Sequence, residues 1–207
     1  MTPDPMRPLV VVDRDGTLID FVRDEELGVV TPAFHPDQLR WMSGVIEGLH
    51  TLRDAGFVIA IATNQPDAAK GRVSRAAIAR TNDALVARLA ERGVPVLGLA
   101  CCLHHPEGQT GGDLELVRRC DCRKPAPGML LGLLARCGAR PEASWMLGDT
   151  ATDVAAARAA GMRAGLIFAE GRCELCPLRD HPPHAPDAWA PRFDQLARAV
   201  VAAARAT

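Results

Sequence analysis

Two aspartates two residues apart open the chemically suggestive part of the chain, in the run Asp13-Arg14-Asp15-Gly16-Thr17. Three further runs follow: Thr63-Asn64-Gln65, Cys120-Asp121-Cys122-Arg123-Lys124-Pro125 and Gly148-Asp149-Thr150-Ala151-Thr152-Asp153. Carboxylates that converge with a single Lys suit a hard cation such as magnesium together with a phosphoryl group, because oxygen ligands hold the metal and the ammonium offsets phosphate charge. A carboxylate can also attack phosphorus, and a second carboxyl two residues along can act as acid and then base. Asp13 and Asp15 have that spacing. Taken singly, such an Asp/Gly run is also an ordinary strand-ending turn; the weight lies in four runs occurring in order. Asp149 and Asp153, four apart, stack on one face if their loop opens into a helix. Asp149 is then expected to face the metal, with Asp153 bracing the loop or serving as an N-terminal helix charge.

A second constellation is built of soft ligands. Cys102-Leu103-His104 and Cys120-Asp121-Cys122 are two short pairs separated by a loop, and three thiolates with one imidazole make the closed tetrahedral set of structural zinc. Cys101 and His105 adjoin these residues, so spacing alone leaves the choice of ligands open. Further along, Cys173, Cys176, His181 and His184 offer either a second four-ligand site or incidental thiols in a proline-containing tail.

The elements that must position these residues alternate. Leu9 to Val12, Phe57 to Ala62, Val96 to Ala100, Ser144 to Leu147 and Arg163 to Phe168 are short apolar runs expected as buried strands. Helical spacing recurs from about Gly44 to Ala55, from Ser74 to before Gly93, from Pro127 to Cys137, from about Thr152 to Ala160 and from about Phe193 to Arg205. This order predicts an α/β fold with a doubly wound parallel sheet, Rossmann-like and without a large cap domain. Asp13, Thr63 and Asp149 each follow an expected strand and Lys124 ends the third crossover, so all four reach the crevice at the carboxyl ends of the strands. One domain over 1–207 is expected, with the zinc loop at 101–123 and a C-terminal extension at 171–207.

Composition narrows the partners. In 207 residues, 24 Lys and Arg face 25 Asp and Glu, which argues against binding nucleic acid through phosphate attraction. Aromatics are 4% and Tyr is absent, so aliphatic side chains must fill the interior. No stretch reaches the roughly 20 apolar residues of a membrane helix. A cytoplasmic monomer with no membrane or nucleic-acid partner is the expectation, and seven cysteines in a reducing compartment favour metal ligation over disulfides.

The four runs together resemble the motifs of the haloacid dehalogenase superfamily phosphatases, over about residues 9 to 168. Within that superfamily the chain is most similar to the D-glycero-D-manno-heptose 1,7-bisphosphate phosphatases, with the histidinol-phosphatase domains as near relatives. The resemblance implies Asp13 as nucleophile and Asp15 as general acid and base. Thr63 and Lys124 would bind the phosphoryl group, and Asn64, Gln65 and Arg123 would line the phosphate and substrate site. It implies magnesium on the Asp13 carboxylate, the Asp15 backbone carbonyl and Asp149, with Asp153 in support, and zinc on Cys102, His104, Cys120 and Cys122. Fifteen residues separate His104 from Cys120, longer than in the histidinol-phosphatase domains, which favours a heptose bisphosphate as the sugar phosphate substrate. Histidinol phosphate or another small sugar phosphate is the alternative within the fold; a zinc-stabilised binding protein is the alternative outside catalysis. Three departures bear on substrate identity. Pro66 follows Gln65 where Ser-Gly is usual, Thr150 follows Asp149 where the heptose enzymes carry Lys, and the family's Gly-Tyr after the first motif is absent.

Overall fold

The computed structural model describes residues 7–109, 111–168 and 185–206. Strand β1 (Leu9–Val12) is central to a six-stranded sheet in which every pairing is parallel. On one side lie β4 (Val58–Asn64) and β5 (Val96–Cys102), and on the other β6 (Trp145–Gly148), β7 (Arg163–Ile167) and β8 (Ala188–Ala190). The chain leaves β1 toward one edge and returns to its other flank, which makes β1 the switch point of the sheet.

Why β1 is apolar at every position follows from its two neighbours in depth. Val10 and Val12 join the core beneath α1 (Val45–Asp54), α2 (Arg75–Glu91) and α5 (Phe193–Arg205). Leu9 and Val11 join the opposite core beneath α3 (Gly128–Cys137) and α4 (Ala151–Ala159). A strand covered on both faces cannot alternate apolar with polar residues. Small residues Ala156 and Ala157 let α4 lie close on β6 and β7, and all of its buried positions except Asp153 are apolar.

Two elements go beyond the sequence expectation. Strands β2 (Val22–Asp24) and β3 (Val29–Thr31) form a separate antiparallel hairpin after the first aspartate run, with Leu27, Val29 and Val30 exposed. In the described part of the expected extension at 171–207, β8 adds a sixth strand that the sequence does not suggest, while α5, the helix expected from about Phe193 to Arg205, packs on α1, β7 and β8. Phe193, Leu196, Ala197, Val200 and Val201 recur on one helical stripe and are buried. Phe193 seats its ring against Gly48, where a Cβ would collide with it.

Among the described residues no helix is long and apolar enough to cross a membrane. Because Phe193 is 1% exposed, Phe193→Ala is expected to cost about 3–5 kcal/mol in chemical denaturation. A loss below about 1 kcal/mol would show that α5 is not part of the core.

Candidate active site

Asp13 follows β1 directly, and its N–H donates to the Leu147 carbonyl of β6 at 2.8 Å, fixing the loop across the switch point. Thr63 is the penultimate residue of β4, Asp149 follows β6, and Lys124 precedes α3. These four segments meet at one point. The Lys124 ammonium lies 2.8 Å from Asp13 Oδ1 and 2.6 Å from Asp153 Oδ1, and it donates to the Ala62 carbonyl at 2.9 Å. Oxygens of Asp13, Asp149 and Asp153 all lie within 4.8 Å of one another, and all three residues are buried.

Glycines make this crowding possible. Gly16 has φ 78°, and a Cβ there would run into the Asp149 carboxylate. At Gly148 a Cβ would meet the Asp153 carboxylate. Asp149 accepts from Thr17 Oγ1 at 3.4 Å, while Asp153 Oδ2 accepts from the Thr150 N–H at 3.1 Å and from Thr150 Oγ1 at 2.5 Å. Thr150, a departure from the family pattern, is thus the residue that ties Asp153 to the start of α4.

Three carboxyl groups against one ammonium leave excess negative charge in a buried place. Burial pushes the Asp13 carboxyl up to about 8, Asp153 and Asp149 add to the rise, and Lys124 opposes it. Burial works against the charged form of Lys124 too, yet Asp13 and Asp153 outweigh it and hold the ammonium above its ordinary range. An all-oxygen donor set with surplus charge fits a hard divalent cation.

Asp15 stands apart from this cluster. Its carboxylate faces Arg14, which donates from Nε to Oδ2 at 3.0 Å and from Nη2 to Oδ1 at 3.1 Å, and Gln65 Nε2 donates to Oδ2 at 2.5 Å. The metal role that the family resemblance implies for Asp15 concerns its backbone carbonyl and not this carboxylate. Gln65, fully buried, also donates to Thr63 Oγ1 at 2.8 Å and so links the acid/base candidate to the phosphate-binding candidate. The Asn64 carboxamide brackets the Lys124 backbone: Nδ2 donates to its carbonyl at 3.0 Å, and Oδ1 accepts from its N–H at 3.1 Å. Asn64 and Gln65 therefore hold other site residues in place in this structure. The sequence gives no site role to Arg14, Thr17, Asn82 or Thr150: an Arg between two Asp residues reads as surface charge, Thr17 enters only as part of the first run, Thr150 only as a departure from the family pattern, and Asn82 belongs to no motif.

Arg123 precedes Lys124 in the chain and donates from Nη1 to the His104 carbonyl at 3.4 Å. With Lys124, Arg118, Arg119, Pro106 and Pro125 it lines a cavity of about 410 Å³. A larger, mainly apolar groove of about 540 Å³ runs between α2 and β5 and is lined in part by Asn82. The Cys101 thiol lines that groove, where burial pushes it up to about 11.

Cys102, His104, Cys120 and Cys122 converge. Cys102 Sγ is 3.6 Å from Cys120 Sγ, 3.2 Å from Cys122 Sγ and 3.8 Å from His104 Nδ1, and Cys122 Sγ is 3.3 Å from both Cys120 Sγ and His104 Nδ1. A tetrahedral ion with bonds of about 2.3 Å to sulfur and about 2.0 Å to nitrogen has edges of roughly 3.5–3.8 Å, so the group fits zinc by donor type and by spacing. His105 turns instead to the backbone of Glu107. Cys173, Cys176, His181 and His184 lie outside the described residues.

The HAD-hydrolase-like family model matches residues 121–196. A D-glycero-beta-D-manno-heptose-1,7-bisphosphate 7-phosphatase of Pasteurella multocida is 33% identical over 168 residues, covering 81% of this chain and 84% of the relative. The enzyme of the same name from Yersinia pestis is 32% identical over 166 residues, covering 80% and 82%. A crystal structure of D,D-heptose 1,7-bisphosphate phosphatase from B. bronchiseptica, complexed with magnesium and phosphate, shares the fold with a TM-score of 0.74 at 23% identity, covering 95% of this chain and 99% of that one. The chain belongs to the haloacid dehalogenase-like phosphatases, hydrolases of phosphate monoesters.

Because the folded-state value of Asp13, about 8, lies above its ordinary 3.8, the metal-free fold binds that proton more tightly than the unfolded chain. Stability without metal should therefore fall as pH rises from about 4 to about 8. A divalent ion seated on Asp13 would have to displace that proton, so calorimetry with magnesium should show affinity rising about tenfold per pH unit up to about 8 and then levelling. An affinity independent of pH from about 6 to about 8 would contradict this account of the site.

Proposed function

We propose that the chain is a magnesium-dependent phosphatase that removes the 7-phosphate of D-glycero-D-manno-heptose 1,7-bisphosphate through a phosphoaspartate. The observation that carries the reading is the buried Lys124 ammonium, held between Asp13 and Asp153 at the carboxyl ends of the strands. Relatives that share most of their length with this chain and bear that activity in their names supply the substrate. The cavity next to Lys124, lined by Arg118, Arg119 and Arg123, supports a substrate with a second phosphate, which needs cations beyond those at the reacting phosphorus.

In the first half-reaction an Asp13 oxygen forms a bond to phosphorus while the ester P–O bond breaks, and the departing alcohol oxygen takes a proton from the Asp15 carboxyl. In the second, a water oxygen bonds to phosphorus and gives its proton to Asp15. The bond from Asp13 to phosphorus breaks, releasing inorganic phosphate and restoring both carboxyls. Lys124 and Thr63 bind the phosphoryl oxygens, and Asn64 holds Lys124 by its backbone. Asp13, Asp149 and the Asp15 carbonyl would hold magnesium, which would supply charge neutralisation at the phosphoryl group.

Zinc on Cys102, His104, Cys120 and Cys122 serves position. Cys122 is followed directly by Arg123 and Lys124, so fixing the thiolates fixes the segment that delivers both cations. Removing zinc with a chelator should lower phosphate release while the far-ultraviolet circular dichroism stays that of the folded sheet. Collapse of that spectrum would contradict a local role.

Phosphate release with magnesium should favour heptose 1,7-bisphosphate over histidinol phosphate and other sugar phosphates by more than about a hundredfold in kcat/KM. Asp13→Asn should abolish release from every substrate while the fold is kept. Equal slow hydrolysis of the whole panel would remove the heptose assignment, and near-normal activity of the variant would remove the covalent mechanism.

A further inference from the structure

One buried arginine near the centre has no part in the chemistry above. Arg14 is 0% exposed, although it sits in the loop between two site aspartates. Its guanidinium forms a two-pronged pair with Asp15, and every remaining contact fastens the fork itself. Nη1 donates to Asn82 Oδ1 of α2 at 2.7 Å, and Nη2 donates to the Ala33 carbonyl, just past the β2–β3 hairpin, at 3.1 Å. Gln65, from the end of β4, holds the same carboxylate from another side. Three separate parts of the fold therefore set where the Asp15 carboxyl stands.

The two carboxyls of this short loop are thus sorted by two different cations. Asp13 faces Lys124 together with Asp149 and Asp153, whereas Asp15 faces Arg14 and belongs to no metal-capable group among the described residues. A bidentate guanidinium fixes a carboxylate in plane and in direction, which an ammonium cannot do. Burying a charge of this size is costly unless it is fully paired. A polar solution at the surface would not need Asn82 and a backbone carbonyl behind it.

We propose that Arg14, braced by Asn82, is a positioning residue for proton transfer by Asp15. It holds the carboxyl on the leaving-group side and out of the metal cluster. The proposal rests on the reading of Asp15 as general acid, and it requires that loss of Arg14 weaken chiefly the protonation of the departing oxygen.

Leaving-group dependence reads this directly. An aryl phosphate loses an acidic phenol that needs little protonation, while a sugar or glycerol phosphate loses an alcohol that needs much. The ratio of kcat/KM for p-nitrophenyl phosphate to kcat/KM for glycerol phosphate reports only the steps up to departure of the leaving group. It should rise by about a hundredfold or more in Asp15→Asn, the size of a general-acid contribution. In Arg14→Met, and more weakly in Asn82→Leu, it should rise by at least about tenfold and about threefold. A variant that had merely lost stability would lose activity on both substrates alike and leave the ratio unchanged. Should Arg14→Met fail to fold, Asn82→Leu decides, since it loosens the fork without touching Asp15. An unchanged ratio in the folded Arg14 or Asn82 variant, alongside a raised ratio in Asp15→Asn, overturns the role of Arg14. An unchanged ratio in Asp15→Asn overturns the reading of Asp15 itself.

Discussion

The buried ammonium of Lys124 is the constraint on which the site depends. Taking a lysine out of water is costly unless its charge and its donors are matched. Here Asp13, Asp153 and the Ala62 carbonyl do the matching. Those partners come from the end of β1, the first turn of α4 and β4, so one side chain fixes three segments relative to one another. The arrangement also explains why Asn64 grips the Lys124 backbone and why the metal-capable thiols lie immediately before it. A lysine that must satisfy three partners tolerates little freedom in its own main chain.

A second consequence is the division of labour among carboxyls. Asp13, Asp149 and Asp153 crowd one buried place and carry more negative charge than Lys124 offsets, so the donor set fits a hard divalent cation. Asp15, two residues from Asp13, is turned to Arg14 and Gln65 and kept out of that cluster. Two acids of the same type on one loop are placed in different surroundings by the cation each one faces.

Much of this was legible in the sequence, for physical reasons. Leu9–Val12 reads as a strand covered on both faces because every residue is apolar, and Ser74 marks the start of α2 because its hydroxyl caps the Ala77 N–H. The strand ends place Asp13, Thr63 and Asp149 at one crevice whatever the loops do. The hairpin at residues 22–31 was not legible, since its strands have three residues each and acidic residues fill the turn. Nor was β8, a three-residue strand whose pairing with β7 depends on tertiary position. The tasks of Asn64 and Gln65 were hidden for another reason: a carboxamide suits a substrate oxygen and a backbone amide equally well, and only the fold decides between them.

The most direct test of the central claim is to quench the reaction with acid during turnover of a phosphorylated substrate in magnesium and map the phosphorylated peptide by mass spectrometry. The account predicts a single acyl phosphate on the peptide that carries Asp13, lost on treatment with hydroxylamine. A phosphoryl group on another residue, or turnover with no covalent phosphate at any time point while phosphate is released, would contradict it.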